Sequence, residues 1–458
     1  MKFKTINPTT EEIISEYETI SKEGALSIAK SCHDSYKKWK NVDISERSKL
    51  FRKLAEVLRK NKDEYAKLMT TEMGKPISQS LAEIEKCAWT AEVYADNAAK
   101  WLEEETAQAD GKKHLVTFEP LGTILSIMPW NFPFNQAFRF AIPTIISGNT
   151  SILKHSNVVP QCAMAIEESF KEAGFPENVF RTAITDHQTI EELVKSDYIR
   201  GVSLTGSTAA GAKIAELAGR NLKKVVLELG GSDPFIVLDD ADIEFAAKNA
   251  VKGRTINSGQ SCIAAKRFIV TKNIADAFSK KFAELTDALV VDDPMNEKTE
   301  IGPLVNSGGL KQIESQVNDA VGKGAMILAG GKRLDRKGYF YSPTVLGNVK
   351  NDMKAVTEEV FGPVAPIIVV NDEQEALKVA NNTEFGLGAS VWTKDENKGI
   401  QLAKNLEAGC LFINSIVKSD PRMPFGGVKK SGIGRELSKY GLKEFVNVKA
   451  INVYETRS

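Results

Sequence analysis

The segment Ile199–Leu229, IRGVSLTGSTAAGAKIAELAGRNLKKVVLEL, decides the fold. Ile199–Leu204 predicts a strand, and Thr205-Gly206-Ser207 a tight turn. A helix then runs through Leu217, and Lys224–Leu229 is a second strand. A strand, a crossover helix and a further strand make a βαβ unit, whose strands lie parallel. The same alternation runs upstream. Thr150–Lys154 reads as a strand. Gln161–Ala173 reads as a helix with Cys162, Ile166 and Phe170 on one face, stopped by Gly174 and Pro176. Val179–Ile184 is a strand and Thr189–Lys195 a helix. Such alternation predicts a parallel sheet covered by helices on both faces, with ligands bound beyond the carboxyl ends of its strands.

A second alternating block follows Gly231 and ends near Asn414, with strands at Arg267–Thr271, Val364–Val370 and Gly409–Ile413. The first hundred residues read as helices, and Leu50, Leu54 and Leu58 mark one apolar face. Phe445–Tyr454 alternates like an edge strand, and His114–Phe118 is a shorter candidate rich in β-formers. Two exposed strands outside the main sheets would need cover, for example from another subunit.

Composition narrows the function. The chain has 458 residues, with 60 Lys plus Arg and 60 Asp plus Glu, so its formal charge is zero. That balance offers no footprint for nucleic acid and no polybasic membrane anchor. The five cysteines (Cys32, Cys87, Cys162, Cys262, Cys410) are scattered, and no Cys-x-x-Cys occurs. The four histidines lack His-x-x-x-His spacing. Neither a disulfide framework nor a metal site is expected, and reduced thiols point to the cytoplasm. The N-terminus carries no apolar signal region. Leu115–Ile146, the most apolar stretch, is interrupted by Glu119, Asn131, Arg139 and prolines, so it does not read as a membrane span.

Five local features could carry chemistry. Gly206-Ser207 precedes a helix and would admit a phosphate to its N-terminus, although a plain strand–helix turn explains it equally and no full G-x-G-x-x-G is present. Asn257-Ser258-Gly259-Gln260-Ser261-Cys262 places a cysteine in a glycine-containing loop, a thiolate nucleophile or an inert small hydrophobe. Glu228 ends an apolar run, either as a general base with a raised pKa or as a partner of Lys223 or Lys224. Asn131, inside Pro129-Trp130-Asn131-Phe132-Pro133, could aim its amide at an oxyanion or simply make a turn. Arg139, among Phe138, Phe140 and Ile142, must pair with a substrate or with an internal carboxylate.

Together the motifs resemble the aldehyde dehydrogenase superfamily from end to end. The matching segments are Asn7-Pro8, Glu72-Met73-Gly74-Lys75-Pro76, Pro129–Pro133, Leu204–Ser207, Leu227–Gly231, Gly259–Cys262, Glu358–Pro363 and Pro424–Gly432. The chain is most similar to bacterial succinate-semialdehyde dehydrogenases. The resemblance implies an α/β fold of three parts: a Rossmann-like NAD(P)-binding domain (1–99 and 120–228), an α/β catalytic domain (229–438), and a β-strand oligomerisation element (100–119 and 439–458). The family forms dimers or tetramers.

It also implies roles. Cys262 would attack the aldehyde, Asn131 and the Cys262 N–H would hold the oxyanion, and Glu228 would activate water to release the acid. Lys154 matches a ribose-binding lysine, Gly206 and Ser207 a pyrophosphate contact, and Trp130 a residue at the cofactor cleft. Glu359 matches a nicotinamide-ribose contact, with Phe361 beside it. Many NAD-preferring relatives carry a glutamate where Asn157 stands, so NAD or NADP is expected. Semialdehyde enzymes carry a second arginine six residues before the nucleophile, where this chain has Ile256. The substrate carboxylate is therefore assigned to Arg139 and Ser419. The competing expectations are a broad-specificity dehydrogenase for aliphatic or betaine-type aldehydes and a silent structural protein on the same fold.

Overall fold

The computed structural model describes residues 2–456. Two sheets organise it. The first has six strands in the order Gly432–Ile433, Lys224–Glu228, Ile199–Thr205, Thr123–Met128, Thr150–His155 and Phe180–Thr182. All pairs are parallel except the first, where Gly432 lies opposite Glu228 in antiparallel register. The strands expected from Ile199–Leu229 and its upstream neighbours are present within a residue or two at most ends. Helix Thr208–Arg220 is capped by Ser207, whose Oγ accepts the Ala210 N–H.

Chain order reverses in this sheet between Thr123–Met128 and Ile199–Thr205. At such a switch point the crossover helices leave to opposite faces and open a crevice beyond the strand ends. Trp130 and Asn131 follow the first of these strands, and Gly206 and Ser207 follow the second. Glu228 ends the next strand outward.

The second sheet has seven strands in the order Met326–Ala329, Thr344–Gly347, Val364–Val370, Ala265–Thr271, Asp233–Val237, Gly388–Trp392 and Cys410–Ile413. Only Met326–Ala329 is antiparallel. Strands such as Ala265–Thr271 are buried throughout, as parallel strands covered on both faces must be. One hydrophobic cluster joins the two halves. It runs from Phe51, Leu54 and Leu58 through Phe134 and Phe138 to Leu387, Val417 and Phe425.

The two strands that lay outside the main sheets find each other. Val446–Val453 pairs antiparallel with Lys113–Pro120, and Glu105–Ala107 adds a third strand. Val448, Ile451 and Val453 remain exposed. One departure from the sequence reading is the N-terminus. An antiparallel hairpin, Lys2–Ile6 with Ile13–Glu18, precedes the helices. It is short and mostly solvated, so it lacks the apolar run that reveals a buried strand. No described helix is long and apolar enough to cross a membrane.

Candidate active site

Cys262 sits just after a distorted turn. Asn257, Ser258 and Gly259 all have positive φ, at 52°, 55° and 78°. Two of these are non-glycine residues in a sparsely populated region, a strain that persists only when surrounding contacts hold it. Those contacts are present. The Asn257 N–H donates to Gln79 Oε1 (2.7 Å), and Asn257 Nδ2 donates to the carbonyls of Asn131 (2.7 Å) and Gln260 (3.1 Å). At Gly259 a Cβ would lie 2.3 Å from the Gly362 carbonyl carbon, so no side chain fits. Lys266, fully buried on the next strand, donates to the carbonyls of Ser261 (2.9 Å) and Cys262 (2.6 Å).

Asn131 is bound to the same loop. Its Nδ2 donates to the Gln260 carbonyl (3.0 Å), and its Oδ1 accepts from Gln136 Nε2 (3.1 Å). The helix that starts beside it, Pro133–Ile146, is held by Glu83. One Glu83 oxygen accepts the N–H groups of Phe134 (3.0 Å) and Asn135 (2.8 Å), and the other pairs with the buried Lys75. A carboxylate at a helix N-terminus is favourably placed.

Cys262 is half-buried and lines a cavity of about 610 Å³. Burial pushes its thiol up to about 12, while Arg139 and Lys266 oppose the rise. The cavity wall carries six lysine or arginine side chains against three glutamates. Ser419, Arg139 and Phe132 line it too.

Glu228 is placed differently. It is buried, neither carboxylate oxygen has a hydrogen-bond partner, and it does not line the Cys262 cavity. A Cβ on Gly426 would meet its Oε1 at 2.5 Å, so the carboxylate packs against that glycine. Burial raises its pKa well above the carboxylate range, Glu436 adds to the rise, and Arg139 and Arg435 oppose it. The alternative pairing with a neighbouring lysine does not occur. Lys223 donates to the Ser196 carbonyl and Lys224 pairs with Glu444.

Of the two partners open to Arg139, the structure supplies an internal carboxylate, Glu436, with both side chains 5% exposed, and Arg139 also lines the Cys262 cavity. Its plane also lies over Phe425 at 4.6 Å. Nη2 is buried with no hydrogen-bond partner. A charge this far from water must be neutralised inside the protein, and Glu436 does it.

The residues expected at a cofactor form two groups. In one, Trp130 meets Phe361 edge-on at 5.8 Å. Nearby, Glu359 accepts the Gly231 N–H (3.1 Å) and lies 3.5 Å from Lys266. A Cβ on Gly230 would reach Glu359 Oε2 at 2.5 Å and one on Gly231 the Cys262 carbonyl oxygen at 2.7 Å, which accounts for the glycine pair. In the other group, Ser207 lines a cleft of about 660 Å³ with Ile127, Leu204, Ile190 and Lys213. Lys154, next to last in its strand, is buried, and its pKa is lowered by that burial. Asn157 is exposed in the turn beyond.

Sequence reading missed Lys266, Glu436, Gln136 and Lys86. Lys266-Arg267 inside an apolar strand was a legible signal, because buried cations need partners. The other three carry no local mark.

The sequence pattern of the aldehyde dehydrogenase family matches residues 1–451. A Synechocystis protein named "probable succinate-semialdehyde dehydrogenase [NADP(+)]" is 44% identical over 98% of this chain and 99% of its own length. An Escherichia coli protein named succinate semialdehyde dehydrogenase, NAD(P)+, is 43% identical over 98% of this chain and 97% of its own. The crystal structure of succinic semialdehyde dehydrogenase from Streptococcus pyogenes with NADP+ superposes with a TM-score of 0.97. It is 36% identical and covers 99% of this chain and all of that one. The chain belongs to the aldehyde dehydrogenase family and has its fold.

Proposed function

We propose that this protein oxidises succinate semialdehyde to succinate with NADP or NAD, through an acyl group carried on Cys262. The carrying observation is a half-buried cysteine, fixed by a strained loop, at a cavity whose wall has an excess of cations. The names of the relatives support the same substrate and cofactors.

The residues present fit a dinucleotide. The 660 Å³ cleft has an apolar wall of Ile127, Ile190, Leu204 and Ile214 and a charged rim that includes Glu191, Glu216 and Arg220, with Lys213 and the Ser207-capped helix terminus available to phosphates. Lys154 makes no ion pair among the described residues, and Asn157 brings no carboxylate against a 2′-phosphate. Gly206 and Ser207 would receive the pyrophosphate, Lys154 and Asn157 the adenosine ribose. Glu359, with Trp130 and Phe361 alongside, would receive the nicotinamide end. The bound cofactor would supply the acceptor for the two-electron oxidation.

The chain's own residues do the rest. As the Cys262 Sγ–carbon bond forms, the thiol passes its proton to solvent water in the cavity and the aldehyde oxygen becomes an oxyanion. Gln260 takes one of the two Asn131 Nδ2 protons, so the amide retains a second for that oxygen, alongside the Cys262 N–H. Oxidation leaves a thioester on Sγ. Glu228 turns away from Gly426, takes a proton from water, and hydroxide displaces the Cys262 thiolate. A carboxyl held above its ordinary pKa is suited to that transfer.

The separate six-, seven- and three-stranded sheets support a cofactor domain of 1–99 and 120–228, a catalytic domain of 229–438 and an oligomerisation element of 100–119 and 439–458, with the 432–433 strand crossing back to the first sheet. The three-stranded sheet and its exposed apolar edge support a homodimer or homotetramer, which sedimentation checks. The five unpaired cysteines support a cytoplasmic site.

The test is kinetic. Succinate semialdehyde should be preferred to butyraldehyde, with both cofactors active. Cys262→Ala should abolish turnover while still binding cofactor. Substantial turnover in that variant would refute the covalent route. Equal use of both aldehydes would indicate a broad-specificity enzyme, and no activity at all a structural protein.

A further inference from the structure

The buried Lys266 stands at the start of strand Ala265–Thr271 and turns back into the loop that carries Cys262. Its three N–H donors go to backbone carbonyls: Cys262 at 2.6 Å, Ser261 at 2.9 Å and Ala264, more loosely, at 3.5 Å. Its ion-pair partner Glu359 is farther off, at 3.5 Å, has 24% of its side chain exposed, and already accepts the Gly231 N–H. The short contacts of this ammonium are therefore with peptide oxygens and not with its counter-ion. Burial lowers its pKa, while Glu359 and Asp233 oppose the loss of charge. An apolar side chain would fill the same space without the cost of burying a cation.

One of the two short bonds bears on the reaction. The Ser261 carbonyl and the Cys262 N–H are the two ends of one trans peptide group. Its C–N bond has partial double-bond character, so a cation at the oxygen draws electron density from the nitrogen and makes the N–H a stronger donor. The trans geometry directs that N–H away from Lys266. Among the described residues it donates to no backbone carbonyl. Lys266 itself is not on the wall of the Cys262 cavity, so any effect on a bound aldehyde must pass through this peptide or through the Cys262 thiol.

We propose that Lys266 is a positioning residue that acts through the 261–262 peptide, aiming the Cys262 N–H at the aldehyde oxygen and strengthening it as a donor to the oxyanion. This rests on the covalent reading above and adds to it the group that sets the strength of one oxyanion contact.

The test uses the full-length enzyme with NADP. Losing a whole oxyanion donor costs about 10²–10³ in rate. In Lys266→Met the donor remains and only its strength changes, so single-turnover formation of reduced cofactor should slow by less, roughly tenfold. The aldehyde KM and the cofactor Kd should be unchanged, and Lys266→Arg should recover part of the rate. Lys266 also opposes the rise of the Cys262 thiol, so a second readout must be independent of thiolate supply. The thioester carbonyl provides it. In a Glu228→Gln background the acyl group stays on Cys262, and infrared difference spectra with isotope-labelled aldehyde report its carbonyl stretch. Adding Lys266→Met should move that stretch to higher frequency, and Lys266→Arg should return it. Lys266→Met with Asp233→Asn, which also neutralises a carboxylate buried beside the lost charge, gives the reading if the single variant does not fold. An unchanged single-turnover rate refutes the proposal. So does a slower rate with an unmoved carbonyl stretch, which would leave Lys266 acting on the thiol or the loop alone. A change confined to cofactor Kd would place its action on Glu359 and overturn the proposal as well. If Glu228→Gln alone accumulates no acyl adduct, the covalent reading fails first.

Discussion

Replacing Arg139 with methionine tests whether its charge serves the protein or the substrate. The guanidinium lies between Glu436, its ion-pair partner, and the field of Glu228. Both carboxylates are buried and lack hydrogen bonds. Removing one member of a buried pair costs about 3–5 kcal/mol, because the other charge stays behind. Unfolding entropy of about 2.1 cal/mol/K per residue gives about 1 kcal/mol/K for a cooperative unit of this length, so Tm should fall by about 3–5 °C. The sign of the pH dependence follows. Without the arginine, Glu436 takes up a proton to remain buried, while in the unfolded chain it ionises normally. The variant therefore binds more protons folded than unfolded, and its deficit should widen between about pH 6 and pH 8. Thermal melts at both pH values, with kcat/KM for charged and neutral aldehydes, read the outcome. Both activities should fall together. Arg139→Met combined with Glu436→Leu should recover most of the lost stability, since apolar replacement of a buried pair is often neutral or better. An unchanged Tm with selective loss of succinate semialdehyde would refute this reasoning and return Arg139 to the substrate.

Two further predictions address other charges. Asp233 is buried beside Lys266, and burial raises its carboxyl to about 7. The folded state thus holds a proton that the unfolded state releases near 4, and stability from this group is lost as pH rises between about 4 and 7. Asp233→Asn should gain in Tm relative to the native protein across that window; a constant difference would mean that Asp233 is ionised when folded. Asn157→Glu should weaken NADP binding about fivefold or more while sparing NAD, because like charges about 4 Å apart repel by about 1 kcal/mol even in water. Equal effects in a titration with each cofactor would show that position 157 does not face the 2′-phosphate.

The parts of this molecule legible in its sequence are those where one segment contains its own physical reason. Ile199–Thr205 and Lys224–Glu228 are mostly buried because helices cover both faces of their sheet, so the short runs reveal a parallel sheet. The hairpin at residues 2–18 faces water and leaves no such trace. At the site, the glycine between Ser258 and Gln260 marks the turn that carries Cys262, and Glu228 and Arg139 stand out as charges in apolar surroundings. The need for a partner was therefore readable, and the partner's identity was not. Arg139 and Glu436 are separated by almost three hundred residues, and tertiary pairings, Gly432 against Glu228 and Glu436 against Phe425, bring them together. Lys86 shows the converse. A lysine on a long amphipathic helix reads as a solvated side chain, and nothing local connects it with Ser419. The fold joins them, because Lys86 Nζ donates to Ser419 Oγ at 2.5 Å and both line the Cys262 cavity. Charge pairing is decided by the tertiary fold, so the residues that support a site are less legible than those that react in it.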